Sequence, residues 1–238
     1  MRITLMLVLL SSVALAFGQN YSGIGINLFP NVSHRRLVAF DPDAQNQVDS
    51  LEAYEVSRPS YAGGLVLSYR GKKAGVQVGL NYSQTGYRGI RRAIPFNDPQ
   101  AANFSEQAYA FRSQQLEVPF SIFFYQALSD KDDFFFSLGS GLSYNLSNQD
   151  ITTRYAGDSS EREVKTAAGD FRRVNYAFQT SMGWEHRFND KWVMSVAPTF
   201  RLWLGGLYRD ESLNRNLYQA GLRLTFRFER EIIYLEND

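Results

Sequence analysis

The 238-residue chain has no cysteine, only two histidines and almost no net charge. The lack of cysteine excludes a disulfide framework and thiolate metal sites. With 25 Lys and Arg against 24 Asp and Glu, there is no basic excess to form a nucleic-acid footprint. Long apolar runs are also missing: nothing after the first residues approaches the ~20 needed for a membrane helix. The one unbroken run, Ile3 to Leu10, is too short to span a bilayer. It follows Arg2 and precedes the small-residue sequence Ala16-Phe17-Gly18, the pattern of a cleaved secretory signal over residues 1–18. Its removal takes away Arg2 alone, leaving 24 basic residues (25 − 1) against 24 acidic in a mature chain starting at Gln19.

Aromatics, by contrast, are plentiful: 15% of residues, 14 Tyr and 18 Phe among them. Mean hydropathy nevertheless lies below zero. A sheet with one greasy and one polar face reconciles the two.

Eight stretches alternate with period two, the signature of strands whose side chains point to opposite faces. The clearest covers residues 218–228, where Tyr218, Ala220, Leu222, Leu224, Phe226 and Phe228 alternate with Gln219, Gly221, Arg223, Thr225 and Arg227. The seventh sets Trp192, Met194, Val196, Phe200, Leu202 and Leu204 against Ser195, Ala197, Thr199 and Arg201. The sixth sets Val174, Tyr176, Phe178, Met182 and Trp184 against Asn175, Gln179, Ser181, Gly183 and Glu185. The fifth sets Phe134, Phe136, Leu138, Leu142 and Tyr144 against small and polar residues. The fourth sets Leu116, Val118, Phe120, Ile122 and Phe124 against Gln115, Glu117 and Ser121, although Phe123 and Tyr125 intrude on its polar face. The first three are built on Ile24-x-Ile26-x-Leu28, Leu65-x-Leu67-x-Tyr69 and Val76-x-Val78-x-Leu80-x-Tyr82, with Val66 an exception in the second.

A soluble sandwich or lipocalin-like barrel alternates too, with its apolar face inward. Three features turn that face outward. The expected connections, 29–60, 71–73, 84–113, 126–133, 147–173, 189–191 and 205–217, run long, short, long, as in barrels with extracellular loops and periplasmic turns. Aromatics of apolar-face parity gather at both strand ends. Tyr69, Phe124, Phe134, Trp184, Phe188, Trp192 and Phe228 mark the short-turn end. Tyr61, Tyr82, Tyr144, Tyr176 and Tyr218 mark the other, forming two interfacial girdles. Finally, the Gly221, Leu224, Phe226 spacing resembles the C-terminal signal by which outer-membrane barrels are recognised for insertion, followed here by Glu229 to Asp238.

The expected fold is therefore all-β: an eight-stranded, antiparallel, up-and-down transmembrane barrel over residues 19–228, with a short periplasmic tail at 229–238. Eight strands leave an interior that side chains just fill. Glu117, Glu185, Arg201, Arg223 and Arg227 fall on that inner face, and pairing among them makes a plug of salt bridges instead of a pore. The open alternative is that some of them line a wet passage.

Asn81-Tyr-Ser-Gln-Thr-Gly, the Gln115-Leu-Glu-Val-Pro-Phe run and the glycine-punctuated first strand resemble the outer membrane β-barrel (PorT-like) proteins of the Bacteroidetes, over about residues 20–228. These are similar in architecture to the OmpA and OmpX barrels. The resemblance implies an eight-stranded, porin-like barrel in the cell envelope. One member of that group is tied to a secretion and gliding apparatus, and no residue here selects that member.

Candidate sites are sparse. A Ser/His/Asp hydrolase needs its histidine among gathered partners. His34 reads as a solvated loop residue and His186 as an interfacial one. Asp41-x-Asp43 with Glu52 faintly echoes a calcium loop, but Gln45, Asn46 and Pro42 depart from it and no helices flank it. Asn31, Asn81, Asn103 and Asn145 open Asn-x-Ser triplets that read as chance. His34, Arg35, Arg36, Arg88, Arg91 and Arg92 populate the outer loops, where they either grip lipopolysaccharide phosphates or are solvated. No catalytic residue, cofactor or metal ligand is expected. The expected partners are outer-membrane lipid and envelope or secretion-system proteins, with no nucleic acid, for a barrel that is itself monomeric. The function expected is non-enzymatic, through the loops: adhesion, envelope integrity or support of a larger assembly. The alternatives are a small channel or secretion component and, last, a barrel hydrolase.

Overall fold

The structure is a computed structural model that describes residues 20–209 and 212–232. The expected signal at 1–18 lies outside the described residues. The strands are β1 (Asn20–Ala39), β2 (Glu55–Val56), β3 (Arg58–Arg70), β4 (Ala74–Gly89), β5 (Arg92–Ala93), β6 (Glu106–Ala127), β7 (Asp132–Ala156), β8 (Ser159–Thr166), β9 (Val174–Arg187), β10 (Trp192–Trp203) and β11 (Leu213–Ile232). One α-helix, α1, spans Pro42–Glu52.

Eight of these strands close a ring. In order, β1, β3, β4, β6, β7, β9, β10 and β11 pair antiparallel with their neighbours, and β11 returns to β1. Closure leaves the eight-strand ring with no open edge, which hydrocarbon would not tolerate. No helix among the described residues is long and apolar enough to cross a membrane; the crossing is made by strands.

The parity is the one that alternation demands. Ile24, Ile26, Leu28, Leu65, Leu67, Leu80, Val118, Phe120, Leu142 and Met182 are all exposed on the outer wall. Gln115, Glu117, Ser121, Gln179, Ser181, Glu185, Ser195, Thr199, Arg201, Gln219, Thr225 and Arg227 are buried on the inner. Val66, Phe123 and Phe135 are buried inward and fill the lumen with rings and methyls. Interior glycines let strands coil tightly: a Cβ on Gly64 would sit 2.0 Å from the Leu80 carbonyl oxygen.

The short turns hold by local chemistry. Asn189 Oδ1 accepts from the amides of Lys191 and Trp192 at 2.9 and 3.0 Å, closing the β9–β10 turn. Ser129 Oγ donates to Asp132 Oδ2 at 2.7 Å in the β6–β7 turn.

At the opposite end the walls run further than alternation foretold. β1 continues to Ala39, β6 begins at Glu106 and β7 reaches Ala156, paired with β8 in a ribbon turned at Gly157 (φ +60°). Segments expected as loops at 29–39, 106–113 and 147–156 are thus strand. His34 is accordingly a half-buried strand residue, its ring edge-on to Tyr218 at 5.7 Å, and not a solvated loop histidine. The Asp41–Glu52 segment is helix α1. Asp41 caps it by accepting from Ala44 N at 2.6 Å, Pro42 opens it, and Ala44 and Val48 pack on Leu213. At the other terminus β11 runs four residues past 228 to Ile232 and carries Glu229 into the lumen, fully buried.

Candidate functional site

The lumen is layered. Nearest the short turns lies a charge cluster of six groups. Glu185 (β9) accepts Arg70 (β3) on Oε1 and Arg227 (β11) on Oε2, the latter at 2.6 Å. Arg70 also reaches Asp133 (β7) at 2.5 Å. Arg227 and Arg187 meet Glu229 at 2.9 and 3.0 Å. Three guanidinium groups therefore face three carboxylates, drawn from four staves of the barrel. Burying any one of them alone would cost several kcal/mol; the mutual pairing offsets that. Rings complete the layer: Arg70 sits 4.0 Å over Tyr125 and Arg187 4.7 Å over Tyr21.

Above it Phe123, Phe135, Tyr125 and Ala197 pack together. Arg223 (β11) lies over Phe123 at 5.6 Å and donates through Nη2 to Ser181 Oγ at 2.7 Å. The next pair is Glu117 (β6) with Arg201 (β10), whose Nη2 also donates to Gln179 Oε1 at 3.0 Å. Higher still the lumen becomes apolar. Trp203, 1% exposed, donates to Ser143 Oγ at 3.0 Å, and Tyr87, Phe111, Phe171 and Tyr208 stack in series at 5.3, 5.8 and 5.0 Å. At the mouth Glu55 holds both Arg35 and Arg215. The cavities between these layers hold about 10–20 Å³ each, room for roughly one water apiece.

Of the five inner-face charges read from the sequence, four form two ion pairs: Glu117 with Arg201 and Glu185 with Arg227. Arg223 bonds hydroxyl groups and has no carboxylate within ion-pair reach among the described residues. Arg70, Asp133, Arg187 and Glu229 were not singled out, although each keeps inner-face parity at its strand's end. Such terminal positions are charged in most turns, so type alone did not distinguish them.

On the outer wall Phe134, Tyr144, Trp184 and Trp192 are exposed and Tyr82 is nearly as open, while Tyr69, Tyr218 and Phe228 are half-buried. Trp192 stacks on Phe226 at 4.9 Å and meets Phe228 edge-on at 5.2 Å. His186 stacks on Trp184 at 5.3 Å, and its Nδ1–H donates to Asp132 Oδ1 at 2.7 Å. Ser129 also binds Asp132, so the acid stands between the serine and the histidine. A hydrolytic triad needs the histidine in the middle. His34 Nδ1 is buried without a hydrogen-bond partner. No group of acids, histidines and cysteines among the described residues could hold a metal ion.

The loop end exposes a different surface. Arg35 is buried against Glu55 rather than solvated. Arg91 pairs with Glu106 at 2.5 Å and lies 3.9 Å over Tyr155, Arg92 covers Tyr54, and Arg88 donates to the Ser57 carbonyl at 3.1 Å. His34, Arg36, Glu52, Phe200, Leu202 and Tyr218 line an open cavity of about 590 Å³ on the wall. Phe40 (70% exposed) and Phe96 (fully exposed) project from the loops.

The family model described as outer membrane protein beta-barrel domain matches residues 17–205. No curated protein matches the chain. Neisserial surface protein A is 10% identical, with 86% of this chain and 96% of that chain covered and a TM-score of 0.37. Ail, the attachment invasion locus protein of Yersinia pestis, is 12% identical over 90% of this chain and 99% of that one, with a TM-score of 0.31. The outer membrane protease OmpT of Escherichia coli is 8% identical over 91% and 98%, with a TM-score of 0.38.

Proposed function

The chain belongs to the outer membrane protein β-barrel domain family and resides in the outer membrane, and on that premise we propose that it is a non-enzymatic barrel acting through its loop end. The carrying observation is the lumen: paired charges and stacked rings fill it, so the accessible chemistry lies outside, on loops held by a rigid wall. Phe40 and Phe96 supply apolar anchors there, of the kind that protein interfaces bury. The cavity under His34 and Arg36 suits a lipid headgroup, with Phe200 and Leu202 beside its chains.

On this reading the barrel serves adhesion, envelope integrity or the support of a larger assembly. The Asn81–Gly86 and Gln115–Phe120 sequences support the finer placement among PorT-like Bacteroidetes barrels, exported by the signal at residues 1–18. A small channel or a secretion or gliding component is the alternative reading, and no residue of this chain selects it. A mild-detergent pull-down from native outer membranes tests the proposal. Partners retained by the wild type and lost from a Phe40→Ser, Phe96→Ser double variant support it. Equal retention by both refutes the loop surface as the working one.

A further inference from the structure

Between the two ion-paired layers the lumen carries a cation, Arg223, that no carboxylate among the described residues pairs with. From the Glu117 layer down to the turns, five arginines (Arg70, Arg187, Arg201, Arg223 and Arg227) stand against four carboxylates (Glu117, Asp133, Glu185 and Glu229). Each of the four acids engages at least one of the other arginines. Arg223 is left with hydroxyl groups, Ser181 Oγ at 2.7 Å and Ser137 Oγ at 3.5 Å, both through Nη2. An unneutralised charge inside a low-dielectric barrel is costly, and neutral dipoles only partly relieve it.

Beside Arg223 lies a void of about 20 Å³ that Gln77, Asn81, Ser121, Gln179 and Arg201 also line. Two of the amide oxygens in its walls are already engaged. Asn81 Oδ1 already accepts from Asn27 at 2.9 Å, and Gln179 Oε1 accepts from Arg201 at 3.0 Å. Ser121 Oγ accepts from Gln179 Nε2 at 2.5 Å, so its own proton is free to point elsewhere. Gln77, 8% exposed, has a buried Nε2 with no hydrogen-bond partner. Glu117, whose Oε1 is an unpaired acceptor, lines a separate void and not this one. The space thus gathers spare donors and a spare positive charge. Water would satisfy the donors and leave the charge; an anion answers both.

We propose that this mid-lumen void binds one small monovalent anion, a halide such as chloride, between Arg223 and Gln77. The site rests on the lumen geometry and is independent of what the loops engage.

Thermal unfolding of the refolded barrel, followed by heat-modifiable gel migration, tests it in sodium chloride against sodium gluconate at equal ionic strength. Gluconate is too large for the void. The wild type is expected to melt about 2–4 °C higher in chloride, saturably, and Arg223→Met is expected to abolish the difference. Crystals of the wild type soaked in bromide are expected to show an anomalous peak between Arg223 and Gln77. If Arg223→Met does not fold, Gln77→Leu serves in its place, with a weakened halide response expected. Equal melting in the two salts with no bromide peak means an ordered water only and overturns the proposal. So does a chloride effect that survives in Arg223→Met and Gln77→Leu alike, which marks a general salt response.

Discussion

Glu185 accepts one arginine on each carboxylate oxygen, Arg70 on Oε1 and Arg227 on Oε2. This single side chain, 1% exposed, ties β9 to β3 and β11 across the lumen. It is the joint through which the turn-end charge cluster braces the wall.

Glu185→Gln keeps the shape and removes the charge, leaving three guanidinium groups against the two carboxylates of Asp133 and Glu229. The expected loss is about 3–5 kcal/mol of unfolding free energy, read from urea titrations in lipid vesicles. Glu163→Gln, on the exposed β7–β8 ribbon, is expected to leave the same curve unchanged. Equal curves for Glu185→Gln and wild type would show that the cluster contributes nothing to the fold.

Glu117 and Arg201 form an ion pair higher in the lumen, with Gln179 as the second partner of Arg201, and a double-mutant cycle separates the pair from that hydrogen bond. Glu117→Leu and Arg201→Met are each expected to destabilise, and the double variant by clearly less than their sum. A coupling of about 0.5–3 kcal/mol is expected. Additivity would mean that the pair is coincidental.

Leu65 lies on the outer wall at 57% exposure, paired across the ladder with Leu80. If the wall faces hydrocarbon, Leu65→Arg costs about 2–4 kcal/mol near the bilayer midplane. A substitution without effect in vesicles would place that face in water.

Asp132 opens β7 at the turn end, beyond the apolar wall. The hydrogen bond from His186 holds its carboxyl below the ordinary value of 3.8, with Ser129 assisting. A depressed carboxylate contributes stability above its unfolded value and loses it as pH falls through the folded one. Trp184 Nε1–H donates to the same carboxylate at 3.0 Å. Its NMR cross-peak is therefore expected to titrate with a midpoint below pH 3.8 and to stop titrating in Asp132→Asn. A midpoint at or above 3.8 would contradict the bonded arrangement.

The membrane-spanning part was legible because hydrocarbon outside and packed polar groups inside force strict alternation, as at 218–228. Beyond the bilayer that pressure relaxes. Around Leu37-Val38 in β1, apolar residues fall on both faces, so β1's upper half read as loop although it pairs with β11 as far as Ala39↔Leu213. Helix α1 did leave a signal: Asp41 as cap, Pro42 at the first position, and Ala44, Val48 and Leu51 at helical spacing. The stretch nevertheless read as part of an outer loop, its acids only a faint echo of a calcium site set aside on its mismatches. The inner-face charges were legible by parity, but their partners were not. Which arginine reaches Glu185 depends on how strands distant in sequence face one another across the lumen, and Arg70 is 115 residues away.

Planar-bilayer recording of the purified, refolded barrel tests the filled lumen most directly. The expected result is no steady conductance, with current appearing only when Glu185, Arg227, Glu117 and Arg201 are together replaced by alanine. Large, steady openings from the wild-type protein would contradict the account and make the barrel a channel.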